Sequence, residues 1–350
     1  MQNKITALLD YKGNFLSKWL DEPYRSGMDK TLLEKHFKEN SIEIEFKSLS
    51  SVKFLRSEIE NKIFLYTSSE DIGSNYKSFI EDIILGIKEH GGIVIPDFKF
   101  LRAHNNKVLM EILCSSLGFR DDGIIQTKFF GTLEEAEAIA ESLQFPVVFK
   151  LADGSSGSNV ELVNSKEELI KVVRKFCRTK YFAYELRDKA RLIKRKGYKK
   201  ESLYRKKFIV QTFVPNLQND WKVIVFYDKY FIFYRPIFQK RVFKASGGGF
   251  HNYFYGKNAK IPDGIFDFAK KVYSKFDVPH ASLDIGFNGK TFFLFEFQCM
   301  HFGTGGIIYS DESFVQLDNK WIADFNSKII EKEYADSISK YLKNKNLIEI

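Results

Sequence analysis

Cysteine is scarce, with three residues in a chain of 350. Cys114, Cys177 and Cys299 are odd in number, far apart and without paired metal spacing, so a disulfide framework and a cysteine metal knuckle are both excluded. A reducing, cytoplasmic setting is the simplest expectation. Long hydrophobic runs are missing too: stretches such as Val223–Tyr227 and Phe292–Phe295 fall far short of the ~20 residues that cross a bilayer. Met1-Gln2-Asn3-Lys4 opens onto no signal-like apolar core. There is no internal repeat and no low-complexity linker. No Gly-Lys-Ser/Thr follows the glycine-serine turn at Gly154–Gly157 to make a P-loop, and no Gly-x-Gly-x-x-Gly follows a strand.

What is present is enough apolar chain, 44% of it, for one large domain or two or three modest ones with real cores. The net charge of +9 is partly local, because eleven Lys and Arg residues lie between Arg187 and Lys207. Such a run is either a solvated helical excursion or a surface for nucleic acid, anionic lipid or an acidic polymer.

Helical and strand-like pieces alternate at first. Thr31–Asn40 has helical character, Ile42–Phe46 alternates with period two, Ile63–Tyr66 is a short apolar strand, Tyr76–Glu89 an amphipathic helix, and Ile93–Ile95 a strand stopped by Pro96. This rhythm predicts a small domain with a parallel sheet. Helices are then expected over Asn105–Leu117, Thr132–Leu143 and Lys166–Phe176, with a β-like run at Phe208–Val214. Hairpins are expected around Asp228-Lys229 and Asn288-Gly289, with a helix at Ile265–Phe276 between them.

Two stretches carry chemistry. In Phe145–Val163, a β-branched run ends in Lys150, and Gly154, Ser155, Ser156 and Gly157 precede a second run at Val160–Val163. This is either an ordinary hairpin or a turn whose backbone N–H groups approach a phosphate beside a fixed lysine charge. In the second stretch, Asp284, Glu296 and Gln298 interrupt apolar strands, and Glu296 and Gln298, two apart, share a face. Gathered carboxylates cost several kcal/mol unless a cation or good hydrogen bonds offset them. Oxygen ligands of this kind suit Mg²⁺ shared with nucleotide phosphates; the alternative is the exposed side of a hairpin.

The order and separation of these residues resemble the ATP-grasp superfamily over roughly Asn105–Gly306. The resemblance implies an α+β chain: an N-terminal α/β pre-grasp-like domain (1–104), a central lid subdomain (105–215) with a basic insertion at 181–207, and a C-terminal antiparallel-sheet subdomain (216–350), ATP lying between the last two. It implies that Lys107 and Lys150 are the phosphate lysines, that Gly154–Asn159 is the mobile glycine-rich loop, and that Gln211, Thr212, Phe213 and Val214 form the adenine hinge. Asp220 and Lys222 are similar to an Asp-x-Arg-Val segment, Lys222 keeping the phosphate contact as a point charge in place of the arginine fork and counted with Arg241 as catalytic. Arg241 resembles the arginine that steadies the transferred phosphoryl group, Asn252 the nucleotide-site asparagine that follows it, and Asp284, Glu296 and Gln298 the magnesium ligands, Gln298 standing where asparagine is usual.

The implied activity is an ATP- and Mg²⁺-dependent ligase joining a carboxylate, small or polymer-linked, to an amine through an acyl phosphate. A kinase acting on a hydroxyl and a non-catalytic basic adaptor are the alternatives. Gly247-Gly248-Gly249 with Lys244 is either a loop that closes on an acceptor or a plain connection, and Gly303–Gly306 bounds an expected acceptor pocket. His251 and His301 are expected to be packing or surface residues, Cys299 has no activating partner in sequence, and no general base is identifiable.

Overall fold

In the computed structural model, described for residues 3–18, 26–154, 159–217, 219–236 and 253–349, the chain divides into two compact units. One is continuous, from Asn105 to Asn216; the other combines the residues up to His104 with those from Leu217 onward.

The discontinuous unit begins with β1 (Lys4–Leu9), α1 (Lys30–Glu39), β2 (Glu43–Ser48), α2 (Arg56–Ile59), β3 (Ile63–Tyr66), α3 (Asn75–Glu89), β4 (Ile93–Ile95) and α4 (Phe98–Ala103). Its strands pair in parallel in the order β2-β1-β3-β4, as the alternation of elements predicts. Both faces of such a sheet must be covered, and the period-two geometry of the strands divides their side chains accordingly. Ile5, Ala7, Ile63 and Leu65 join one core with Leu33 and Phe37 of α1. Leu8, Phe64 and Tyr66 join another with Ile80, Ile84 and Ile87, one face of α3.

The continuous unit contains α5 (Lys107–Ser116), β5 (Thr127–Phe130), α6 (Leu133–Ile139), β6 (Val147–Leu151), β7 (Val160–Val163), α7 (Lys166–Cys177), α8 (Phe182–Lys194) and β8 (Phe208–Thr212). Antiparallel pairing in the order β5-β8-β6-β7 builds its sheet. A reciprocal cap starts α6, Thr132 accepting from the Glu135 N–H while Glu135 returns to the Thr132 N–H. Phe149, fully buried, lies 5.2 Å from the Phe208 ring and 5.7 Å from that of Phe176. Leu169 and Val173 of α7 close the core over them.

The chain then returns with β9 (Asn219–Phe226), β10 (Lys229–Pro236), β11 (Phe254–Tyr255), α9 (Ile265–Tyr273), β12 (His280–Phe287), β13 (Phe292–Gln298), α10 (Gly305–Ile308), β14 (Glu312–Leu317), β15 (Lys320–Phe325) and α11 (Ile330–Asn344). The sheet runs β13-β12-β9-β10-β14-β15, with β11 paired to β10. Both expected hairpins form. In the second, Asn288 Oδ1 accepts the N–H groups of Lys290 and Thr291, and Gly289 takes φ +93°. Ile224, Phe231 and Phe233 of this sheet and Ile330, Tyr334, Ile338 and Leu342 of α11 enter the same core as Ile5 and Phe37. Buried Glu331 holds the two ends of the chain together, accepting from Lys18 Nζ and the Asp29 N–H, each at 2.9 Å. Among the described residues no helix is long and apolar enough to cross a membrane.

Phe149→Ala removes a buried ring from between two others and should cost about 3–5 kcal/mol. Hydrogen exchange reads it site by site: amides of β6 and β8 lose protection while those of β9 and β12 keep theirs.

Candidate functional site

The densest group of buried charges in the described residues lies on β9, β10 and β12. Cross-strand register sets Arg235 opposite Asp220, and Lys222 opposite Asp284, so strand alternation alone brings four charged side chains to one face. Arg235 is buried and binds Asp220 with both prongs, Nε to Oδ1 at 2.6 Å and Nη2 to Oδ2 at 2.7 Å. The same Nη2 lies 3.0 Å from Asp284 Oδ2. Lys222 Nζ sits 2.6 Å from Asp284 Oδ1 and donates to Ser282 Oγ at 3.1 Å.

Burial alone would raise the Asp284 carboxyl, but Arg235 and Lys222 reverse that and hold it at about 2. At Asp220, burial pushes the carboxyl up, with Arg235 pulling against it and Asp284 adding to the rise. Burial works against the Arg235 charge, yet the two carboxylates keep its pKa above the ordinary value. One guanidinium thus compensates two carboxylates, with Lys222 as a second cation at Asp284.

Glu296 and Gln298 lie beside this group on β13, opposite Asp284 and Ser282. A bulge follows: the register passes from Asp284–Glu296 to Ile285–Leu294, leaving Phe295 as the extra residue. A Cβ on Gly286 would collide with the Phe295 ring, so the glycine makes room for the bulged side chain. Asp284, Glu296 and Gln298 therefore share a face as expected, and the bulge changes the parity of β13 just beyond them.

Two carboxylates and an amide oxygen form a hard donor set that fits Mg²⁺ in kind. Asp284 Oδ1 adds to the fit, because it is buried and, despite the close Lys222 charge, has no aligned hydrogen bond. Among the described residues no group of three or more His, Cys, Asp and Glu is gathered as metal ligands, so the third donor here rests on Gln298.

In the continuous unit, Lys107 opens α5, after its cap Asn106. Its N–H donates to Ala152 O at 2.9 Å, and its Nζ to Gly154 O at 2.7 Å. Asn105 Oδ1 accepts the Gly154 N–H at 2.8 Å. The start of α5 is thereby pinned to the end of β6. Lys150 is buried on β6 between Val160 of β7 and Ile209 of β8. Both lysines expected to meet phosphate are thus fixed by backbone at the exit of one strand. Gly154 has φ +112°, a conformation that side chains rarely adopt. Ser155, Ser156, Gly157, Arg241, Asn252, His251 and Gly247–Gly249 lie outside the described residues.

At the expected hinge, buried Gln211 donates its amide to Thr127 Oγ1 at 3.0 Å, which presents the amide oxygen as its acceptor. Thr127 in turn donates to Glu111, itself fully buried and doubly bonded by Arg120 at 2.9 and 2.8 Å. The Thr212 N–H of this segment is already engaged, donating to Gln126 O at 3.0 Å.

Sequence reasoning missed Arg235, whose signal was a lone arginine on the apolar strand Tyr230–Arg235. It also missed His104, buried, with Nδ1 2.8 Å from Ser68 Oγ, Nε2 3.3 Å from Glu70 Oε1, and His301 stacked on it at 5.8 Å. These residues are far apart in sequence, so no motif links them. Burial brings His280 down to about 3 and raises the Cys299 thiol, leaving both uncharged. An open cleft of about 590 Å³ is lined by Tyr253, Phe254, Tyr255 and Tyr309, with Lys260 and Glu312 at its side.

No protein-family model matches this chain, and no curated protein matches it in sequence. Solved structures do match in shape. D-cycloserine synthetase DcsG aligns over 97% of this chain and 99% of its own, with TM-score 0.56 and 12% identity. A RimK domain ATP-grasp protein from Sphaerobacter thermophilus aligns over 95% and 98%, with TM-score 0.52 and 12% identity. A Chryseobacterium gregarium RiPP-associated ATP-grasp ligase, in complex with ADP and a leader and core peptide, aligns over 95% and 96%, with TM-score 0.52 and 11% identity.

Arg235→Met leaves two buried carboxylates with one cation, and should cost about 3–5 kcal/mol at neutral pH. In the parent, Asp284 is held below its unfolded pKa, so its contribution is present above the ordinary carboxylate range and fades as pH falls toward about 2. In the variant the carboxyls rise instead, so stability should recover as pH falls from neutral toward the carboxylate range. Denaturant titrations of both proteins across that range measure the reversed slope.

Proposed function

We propose that this chain, which has the ATP-grasp fold, is an ATP-dependent ligase. It joins a carboxylate, small or polymer-linked, to an amine through an acyl phosphate, releasing ADP and phosphate. The observation that carries this reading is the registered set Asp284, Glu296 and Gln298 beside the Lys222–Asp284–Arg235–Asp220 group. An oxygen-donor face next to fixed cations is what handling of a polyphosphate requires.

A carboxylate is a poor electrophile, and phosphorylating it creates a leaving group that an amine displaces. Mg²⁺, when bound, neutralises phosphate charge. Asp284, Glu296 and Gln298 are the residues that hold it, and Arg235 and Lys222 keep Asp284 ionised at any working pH. Lys107 and Lys150 neutralise phosphate oxygens, held by backbone so that little reorganisation is needed. Gln211 and the backbone of Thr212, Phe213 and Val214 take the base, Arg241 serves the migrating group, and Asn252 belongs with the nucleotide-binding residues. Gly154–Asn159 acts as the loop over the phosphates, its Gly154 already in a conformation suited to a turn. The aromatic cleft at Tyr253–Tyr255 is completed by Tyr309, which comes just after the Gly303–Gly306 segment in the chain, and it suits the acceptor.

Lys150→Ala and Glu296→Ala should each abolish Mg²⁺-dependent ATP turnover while circular dichroism keeps the parent spectrum. With the parent, a screen of carboxylates in the presence of hydroxylamine should yield a hydroxamate and ADP. A stable phosphate ester instead of a hydroxamate makes the protein a kinase. No turnover with any acceptor returns it to a binding role.

A further inference from the structure

α8 is built inside out. The side chain that it buries most deeply is Asp188, 2% exposed, which accepts from the Tyr198 hydroxyl and from the Glu201 N–H at 3.2 Å. Its other acid, Glu185, binds Arg178 at 2.7 Å. Both carboxylates of the helix are therefore spent on its own unit. The residues that normally anchor a helix point away: Phe182 is 76% exposed, Leu186 51% and Ile193 86%. At about 100° per residue these three fall within about 40° of one another, a single stripe along three turns. Leu192, half exposed, widens it on one side.

The charge on this outward surface is of one sign. Lys189 lies beside Phe182 at the edge of the stripe, Lys194 and Arg187 flank its other side about a third of a turn round, and exposed Arg191, Arg195, Lys196, Lys199 and Lys200 continue the run. No other helix or strand packs closely along α8 among the described residues, so the stripe stands on a convex ridge and not in a groove.

We propose that α8 docks the protein on an anionic lipid surface, with Phe182, Leu186 and Ile193 entering the interface and the flanking Lys and Arg reaching the headgroups. A ridge of apolar side chains rimmed by cations is the pattern of an interfacial helix. A lipid surface conforms to a convex ridge, whereas a folded partner would need a matching groove. Long Lys and Arg stems let their charges reach outward while their methylenes follow the apolar side chains inward, and each cation near the surface adds attraction that salt weakens. This surface is independent of the nucleotide chemistry.

The test is flotation of the full chain with vesicles of phosphatidylcholine alone or with one third phosphatidylserine. Binding should require phosphatidylserine, weaken as salt rises, and fall by about tenfold or more in Leu186→Gln/Ile193→Gln. The replaced side chains are exposed, so an unchanged melting temperature certifies the fold. Lys189→Glu/Lys194→Glu, with the apolar stripe intact, should weaken binding as well. The proposal is overturned by no binding to the mixed vesicles, by equal binding to neutral ones, or by binding that the glutamine pair leaves intact. It is equally overturned if polyglutamate binds as tightly as the vesicles and the glutamine pair has no effect on it, which makes the surface a site for an acidic polymer.

Discussion

The sheet of the discontinuous unit is arranged around one guanidinium. Arg235 occupies the space between two carboxylates on two other strands, and without it Asp220 and Asp284 could not both remain charged at that depth. The arrangement demands that β10, β9 and β12 keep their register to the residue, because a slip of one would turn every charged side chain into the opposite core. Trp221, between Asp220 and Lys222, faces that other side, and its indole N–H donates to Ala259 O at 2.8 Å, which gives the register a second anchor. The charge group is thus a constraint on sheet assembly as well as the support of the candidate metal face.

Much of this was legible in residue order. Apolar runs bounded by turn residues marked the strands and hairpins of the middle and C-terminal parts, and the spacing of Glu296 and Gln298 placed them on one face. The pairing of Asp220 with Arg235 was not legible, because it joins residues across a hairpin and depends on which face each strand buries. β1, β14, β15 and α11 also went unread. Lys4–Leu9 is too short a run to distinguish a strand from a helix by period, and β15 carries polar and charged residues on its exposed side. α11 is mostly polar by composition, yet it buries Glu331, Glu333, Ser337 and Ser339 alongside Tyr334 and Ile338. Ser339 bonds back to Ala335 O within the helix, but Glu331, Glu333 and Ser337 find partners elsewhere in the fold, which no local pattern announces.

α7 and α8 sharpen the same lesson. Both are amphipathic and rich in basic residues, and both follow the periodicity of a helix that packs through its apolar side. α7 does so with Leu169, Val173 and Cys177. α8 turns its carboxylates inward and leaves its aliphatic side outside. Periodicity reveals that two faces differ, but which one meets the protein depends on partners such as Tyr198 and Arg178 supplied from other segments.

The discontinuity of the larger unit bears on how the protein is made. A ribosome releases residues 1–104 well before the strands that share their core, with Ile5 and Phe37 awaiting Phe231 and Tyr334. The continuous unit emerges in between and can complete its own sheet at once. The N-terminal parallel sheet must then persist with an open apolar face through the synthesis of more than a hundred residues. Protein of this design is most vulnerable to aggregation and most in need of chaperone cover while its first part is folded and its last is still in the exit tunnel.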